Sequence, residues 1–361
     1  MPWYYFHNGN FGDELNVDLG IALLGDQSAQ NEGRHLTRTT DASLNHSWLW
    51  TTTQKDSVLR KVLAIGSVLG DAKKKDVLLG VGAKPEQSRL LAIGKSGTNG
   101  SMRTLPATAA SNGADDLESV VGPELPEGML AGLRNKKTTI RALRGLLTCG
   151  LLQRHGVVPG RPGSKCPTAL GDPALIAPFV IPSWRAFRWM PARHVSGQPM
   201  LCVVPHMDDG RLRFLAHVEA YHAPCSLAPR NRTNIRVLSP LMPPFMFATA
   251  LQTCDLVVAS AMHGLIAADA LRVPAVWMDA VPTSQRLTSR YEHKESPYKY
   301  LDYFSGVGKP PARVRSLDAA LKLLWQQPYP SPRLSVAKLR DIATRHISAF
   351  PFETLCKAKD K

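Results

Sequence analysis

The chain has 361 residues, of which 44% are hydrophobic and 20% charged, and its formal net charge is +15. That length favours two domains at roughly 150 residues each, and the composition excludes wholesale disorder. The positive surplus favours anionic partners, but the basic residues are scattered and their densest run is only Lys73–Lys75, which disfavours a nucleic-acid binder.

The chain opens on an aromatic strand, Trp3 to His7, followed by glycines, asparagines and a helix marked by Leu15, Leu19 and Leu23, with Gly25 as its stop. Val62–Ile65 and Val77–Leu79 are strands ending at Gly66-Ser67 and Gly80-Val81-Gly82. Residues of about 85–137 are rich in Gly, Ser, Thr, Ala and Asn and form a surface insertion, much of it flexible. Thr138 to Gly145 is a strand and the following residues to Gly156 a helix. Met200–Val204 starts a second series, with Leu256–Ala259 and Ala275–Met278 as strands and the helix after Gly264 between them. A last clear helix, capped by Ser316, places Leu317, Ala320, Leu321 and Leu324 on one face. This alternation predicts an α/β protein of mainly parallel sheets. Its units are a Rossmann-like domain over 1–190, carrying the insertion, a second over 191–350, and a tail over 351–361. Ligands in such sheets bind at the carboxyl ends of the strands.

The six cysteines, Cys149, Cys166, Cys202, Cys225, Cys254 and Cys356, contain no C-x-x-C pair, which disfavours a zinc ribbon or a dithiol redox motif. Several lie in apolar segments as small buried hydrophobes, so a reducing compartment is expected. The N-terminal residues lack the basic start and apolar core of a signal peptide. Val237 to Cys254 is the longest largely apolar stretch; it falls short of the roughly 20 residues of a membrane span and is interrupted by Pro240, Pro243 and Pro244. A cytoplasmic protein is expected, with room for peripheral association with the inner membrane face.

Four strand ends carry chemistry. In Asn10-Phe11-Gly12-Asp13-Glu14-Leu15-Asn16, glycine lets a ligand approach the backbone, the helix start attracts anions, and Asp13 is either a base or a helix cap. Arg144 stands just before a helix start, where a planar cation and free backbone donors suit a carboxylate or phosphate; Arg141 faces the other way along the strand. Gly171-Asp172-Pro173-Ala174 is a tight turn in which Asp172 orients a neighbour. Ser260-Ala261-Met262-His263-Gly264 follows a buried strand, and a histidine there is placed as an acid or base. His206, at the end of another strand, and Lys299 to Tyr303, in a polar loop, are weaker candidates. No phosphate-binding G-x-x-x-x-G-K-[ST], G-x-G-x-x-G, H-E-x-x-H or G-x-S-x-G motif occurs, which disfavours a Walker ATPase, a dinucleotide oxidoreductase, a zincin and an ordinary serine hydrolase.

Taken in order, these segments resemble the polysaccharide pyruvyl transferase family. Asn10 to Asn16 looks like its N-[FW]-G-D-x-L-N, and Ala64-Ile65-Gly66-Ser67 with Gly80-Val81-Gly82 looks like its paired glycine turns. Leu143-Arg144-Gly145-Leu146-Leu147-Thr148 is similar to V-R-G-P-L-T, and Lys299-Tyr300-Leu301-Asp302-Tyr303 to K-[FY]-x-D-[WY]. Gly171 to Ala174, Val204-Pro205-His206 and the A-M-H-G of Ala261 to Gly264 complete the series, the last resembling the branch of exopolysaccharide ketal pyruvate transferases.

The resemblance implies two Rossmann-like domains facing a central cleft, as in glycosyltransferase B enzymes. It also implies transfer of the enolpyruvyl unit of phosphoenolpyruvate to hydroxyls of a terminal sugar, giving a pyruvate ketal and phosphate. No metal or cofactor is implied, and the acceptor is a saccharide or a lipid-linked oligosaccharide. His263, Asp13 and Arg144 are then the catalytic residues. Asn10, Gly12, Asn16, Gly66, Ser67, Gly82, Asp172, His206, Ser260, Gly264, Lys299 and Asp302 are the substrate contacts. Ala261 stands where many relatives carry a donor-binding arginine, leaving Lys299 or Arg272 to supply that charge, and Leu146 replaces the usual proline. Two other classes fit the same chain: a glycosyltransferase using a nucleotide sugar, and a non-catalytic binder of anionic polysaccharide.

Overall fold

The structure, a computed structural model, describes residues 3–6, 11–24, 37–38, 47–49, 62–63, 77–81, 127–134, 138–185, 187, 199–206, 234–278, 298–314, 317–325 and 333–350. In chain order these form β1 (Trp3–Phe6), α1 (Phe11–Leu24), β2 (Thr37–Arg38), β3 (Ser47–Leu49), β4 (Val62–Leu63), β5 (Val77–Val81), α2 (Glu127–Arg134), β6 (Thr139–Leu143), α3 (Leu146–Arg154) and β7 (Ala169–Leu170). A 3-10 turn, Pro173–Ile176, leads to the short α4 (Ala177–Val180) and α5 (Pro182–Arg185). Then come β8 (Met200–Val204), β9 (Asn234–Val237), α6 (Pro244–Leu251), β10 (Leu256–Ala259), α7 (Met262–Ala270), β11 (Ala275–Met278), α8 (Tyr298–Val307), β12 (Arg313–Val314), α9 (Leu317–Trp325) and α10 (Val336–Ala349).

Two sheets result. The first has the order β2-β3-β1-β4-β5-β6-β7, and the second β12-β11-β10-β8-β9. All pairs in the second sheet are parallel, as are those from β1 through β7 in the first. At one edge β3 pairs antiparallel with both β1 and β2. The mainly parallel α/β architecture expected from the sequence is therefore present. Parallel strands covered on both faces read as unbroken apolar runs, and Leu201-Cys202-Val203-Val204 and Leu256-Val257-Val258-Ala259 are buried throughout. Alternation divides them: Leu201, Val203, Leu256 and Val258 pack on one side of the sheet, while Cys202, Val204, Val257 and Ala259 join the main core on the other. That main core also contains Leu79 and Ala142 of the first sheet, so apolar packing runs continuously from one sheet to the other.

Several expectations change. Lys299 to Tyr303 do not lie in a loop: they are the first turns of α8, held helical by the buried stripe Tyr300, Tyr303, Phe304 and Val307. The expected insertion ends before residue 127, because α2 buries Leu130 and Leu133 against Leu78, Leu143 and Leu152. Residues 336–349, grouped above with the second unit, form α10, which packs on β5, β6, β7 and the 3-10 turn of the first. Cys149 bonds Cys166, and Cys202 bonds Cys254, so four thiols expected to be free are disulfides. Their Cα atoms are 6.1 and 5.7 Å apart, within bridging range. The partners lie 17 and 52 residues apart in sequence, which no short motif reveals. This pairing removes the support that free thiols lent to a reducing compartment. Cys225, Cys356 and the cap Ser316 lie outside the described residues. Among the described residues no helix is long and apolar enough to cross a membrane.

His346 on α10 is buried beneath the Gly171 turn. Burial pulls its pKa down to about 4, with Arg345 adding to the effect and the Leu170 and Gly171 backbone opposing it. An unfolded histidine titrates near 6.5. Below that pH the unfolded chain takes up a proton that the folded chain refuses, so this contribution to stability is intact above about pH 6.5 and falls as the pH drops towards 4. The loss is on the order of 3 kcal/mol. Asp172, raised to about 6 chiefly by burial, works in the opposite sense. Urea unfolding at pH 7.5 and pH 5 should therefore show a smaller acid loss in His346→Gln than in the wild type; equal losses would exclude this origin.

Candidate active site

In the second sheet the chain passes from β8 to β9 on one side and returns to β10 on the other. That reversal opens a crevice at the carboxyl ends of β8 and β10. His206 follows β8, and Ser260 to His263 follow β10. The two ends are tied together: the His206 backbone N–H donates to Ser260 Oγ at 2.9 Å. The hydroxyl of Tyr300 donates to the Ser260 carbonyl, and its ring stacks on Trp277 with centroids 4.6 Å apart. Gly264 has a packing role, since a Cβ there would stand 2.8 Å from Val204 Cγ1 and push α7 off the sheet.

The start of α1 faces His263. A Cβ on Gly12 would collide with the His263 ring, so only glycine admits this approach. Phe11 meets His263 edge-on at 6.4 Å, stacks on Phe247 at 3.8 Å, and donates its backbone N–H to the Pro240 carbonyl at 2.8 Å. The first glycine motif of the chain and its A-M-H-G motif are thus brought into contact.

His263 keeps part of its surface exposed, but its Nε2 is enclosed and has no hydrogen-bond partner. Buried polar atoms are normally satisfied, so this nitrogen is poised for a ligand. Its pKa is pushed down to about 3, first by burial and then by the positive charges of Lys299, Arg144 and His206. The imidazole is therefore neutral at physiological pH, with the Lys299 and Arg144 cations near it, an arrangement suited to a bound anion.

Arg144, at the end of β6, is wholly buried. Its Nε meets Asp302 Oδ2 of α8 at 3.2 Å. The same carboxylate accepts the Thr148 backbone N–H at 2.8 Å and the Thr148 hydroxyl at 2.7 Å, while Ser305 Oγ accepts the Leu146 N–H at 3.0 Å. The free donors at the start of α3, expected to attract a ligand anion, are met by α8 instead. Gly145 and Gly306 make this closeness possible: a Cβ on the first would collide with the Asp302 carbonyl, and one on the second with the Arg144 carbonyl. Asp172 caps the 3-10 turn by accepting the Ala174 N–H at 3.0 Å, and its other oxygen is buried without a partner. Burial raises this carboxyl to about 6 against the pull of the Ala174 N–H and Arg144.

Of the residues singled out in the sequence, Gly12 touches the His263 ring, Lys299, Arg144 and His206 are near enough to shift its basicity, and Arg144 in turn acts on Asp172. Lys299 also lies over the Tyr300 ring at 5.0 Å. Asp13 stands in the first turn of α1, and Asn16 is buried one turn on. Asn10, Gly66, Ser67 and Gly82 lie outside the described residues. Arg272 is beyond the far end of α7 from His263, about 13 Å along the axis. Phe247, Thr148, Ser305 and Tyr300 do not stand out individually in the sequence. Thr148 and Tyr300 stood within noted motifs, whereas Ser305 and Phe247 carried no local signal.

Among the described residues no group of three or more His, Cys, Asp or Glu side chains could hold a metal ion. The family model described as polysaccharide pyruvyl transferase matches residues 10–280. No curated protein and no solved structure matches the chain.

Proposed function

Since this chain belongs to the polysaccharide pyruvyl transferase family, and is thus a transferase with a polysaccharide acceptor, we propose that its donor is phosphoenolpyruvate and its product a cyclic pyruvate ketal on a terminal sugar. The observation that carries this reading is the enclosed, unpartnered Nε2 of His263 near the Lys299 and Arg144 cations. A donor bearing both phosphate and carboxylate answers that cluster.

The transfer needs two hydroxyls of one sugar. The first hydroxyl loses its proton as its oxygen bonds to C2 of the enol, while the methylene carbon takes a proton and becomes a methyl group. The C2–O bond to phosphate then breaks, and the second hydroxyl bonds to C2 and gives up its proton. In this scheme Arg144 and Lys299 draw the donor, Lys299 supplying the charge that Ala261 does not. The arriving anion offsets the cations around His263 and raises its basicity, so the imidazole gains the proton it then delivers to the methylene carbon or the departing phosphate. Asp13 is assigned the hydroxyl proton or the anchoring of the sugar. The architecture is read as the two-domain cleft of the glycosyltransferase B type, with the acceptor entering between the sheets.

Incubation with phosphoenolpyruvate and a panel of terminal galactosides, mannosides, glucosides and glucuronides should release one phosphate for each acceptor that gains a pyruvate less one water. Turnover of nucleotide sugars with none of phosphoenolpyruvate would overturn the assignment.

A further inference from the structure

Helix α6 has two apolar faces, and only one of them is covered. Phe247, Ala248 and Leu251 are buried, with Phe247 stacked on Phe11. On the other side Phe245 is 49% and Met246 55% exposed, and Leu241, just ahead of the helix, is 43% exposed. Phe187 extends this surface, its ring tilted against Phe245 at 5.7 Å. From Val237 to Cys254 the chain has no charged residue, although its net charge is +15. Isolated exposed apolar residues are ordinary, but a contiguous patch marks an interaction surface.

The rim of the patch identifies the partner. Arg185 is exposed on α5, which packs against α6. Arg236 is exposed at the other end, where its Nη1 donates to Thr253 Oγ1 at 2.9 Å. No acidic residue falls between Asn234 and Cys254. Aromatic and thioether side chains bordered by arginines match a layer that is apolar inside and anionic at its surface. Pairing of two copies through this patch fits less well, because each copy carries the same excess positive charge.

We propose that the exposed face of α6, with Leu241, Phe245 and Met246, seats this protein on an anionic lipid surface. Phe245 and Met246 enter the acyl boundary, and Arg185 and Arg236 meet the headgroups. The opposite face of the helix reaches the site through Phe247, Phe11 and His263, so seating on lipid holds the crevice beside the membrane, where a saccharide carried on a lipid would be presented. The identity of the donor plays no part in this inference.

The test is co-sedimentation of the full chain, without substrates, with vesicles of mixed phosphatidylglycerol and phosphatidylcholine and with vesicles of phosphatidylcholine alone. The wild type should partition onto the first and much less onto the second. Phe245→Ser with Met246→Ser should lower partitioning about tenfold, as expected for losing two apolar insertions. Met246→Glu, at a mostly exposed position that leaves the fold intact, should act in the same direction. Trp325→Ser, exposed elsewhere on α9, should change nothing. Three results would overturn the proposal: wild type remaining in the supernatant, variants partitioning as the wild type does, or a wild-type dimer that Met246→Glu splits while neither form binds vesicles.

Discussion

Replacing His263 by Gln is expected to lower kcat/KM for pyruvyl transfer by about 10²–10⁴, the usual contribution of a positioned acid or base. Overall stability should change little, since Nε2 makes no hydrogen bond that the substitution would break. The pH behaviour gives a sharper result. In the free protein burial and the charges of Lys299, Arg144 and His206 hold the imidazole near pKa 3, so it is neutral, with a single ring proton, at neutral pH. An anion bound among those cations works in the opposite direction and raises the pKa. Binding of phosphoenolpyruvate should thus be accompanied by proton uptake at His263, and the uptake should favour binding as the pH falls. Titration calorimetry in buffers of different ionisation enthalpy reads this directly. The donor's own phosphate also titrates, so the informative quantity is the difference between the wild type and His263→Gln. An identical proton count in the two proteins would remove His263 from the donor site, whatever the activity of the variant.

The second large effect is structural. Asp302→Ala should destabilise the protein by about 3–5 kcal/mol, because it leaves the Arg144 guanidinium buried without its counter-charge. The same change strips the Thr148 N–H and hydroxyl of their acceptor. Removing both charges, as Arg144→Met with Asp302→Leu, should recover much of this loss, since a well-packed apolar pair often equals a buried ion pair. Chemical unfolding separates these cases. The double variant also separates the two roles of Arg144. If its charge serves only to join β6 to α8, turnover should return with stability. If it also draws the donor towards His263, the refolded double variant should keep a low kcat/KM, with a raised KM for phosphoenolpyruvate. Recovery of both properties would reduce Arg144 to a scaffold residue.

Arg144 shows where local pattern stops being informative. An arginine before a glycine and a helix start reads as a site for a ligand anion. The helix start does hold an anion, but it is the carboxylate of Asp302, 158 residues along the chain from Arg144. Two motifs noted separately, Leu143 to Thr148 and Lys299 to Tyr303, are therefore two halves of one clamp. The disulfides were hidden for the same reason, and so was the placement of α10 under Asp172. Each depends on which distant segment arrives, and no window of sequence contains that information.

By itself the sequence determined what short-range physics controls. Unbroken apolar runs such as Leu201 to Val204 and Leu256 to Ala259 required strands buried on both faces. From these the parallel α/β architecture and the strand-end position of His263 follow. The tertiary structure decided which side chains surround that histidine. Gly12 arrives from α1, Arg144 from β6 and Lys299 from α8, on elements distributed from residue 11 to residue 307. The imidazole is an ordinary one by composition; its loss of basicity arises from enclosure and from charges brought close by folding, both of which are properties of distance in space.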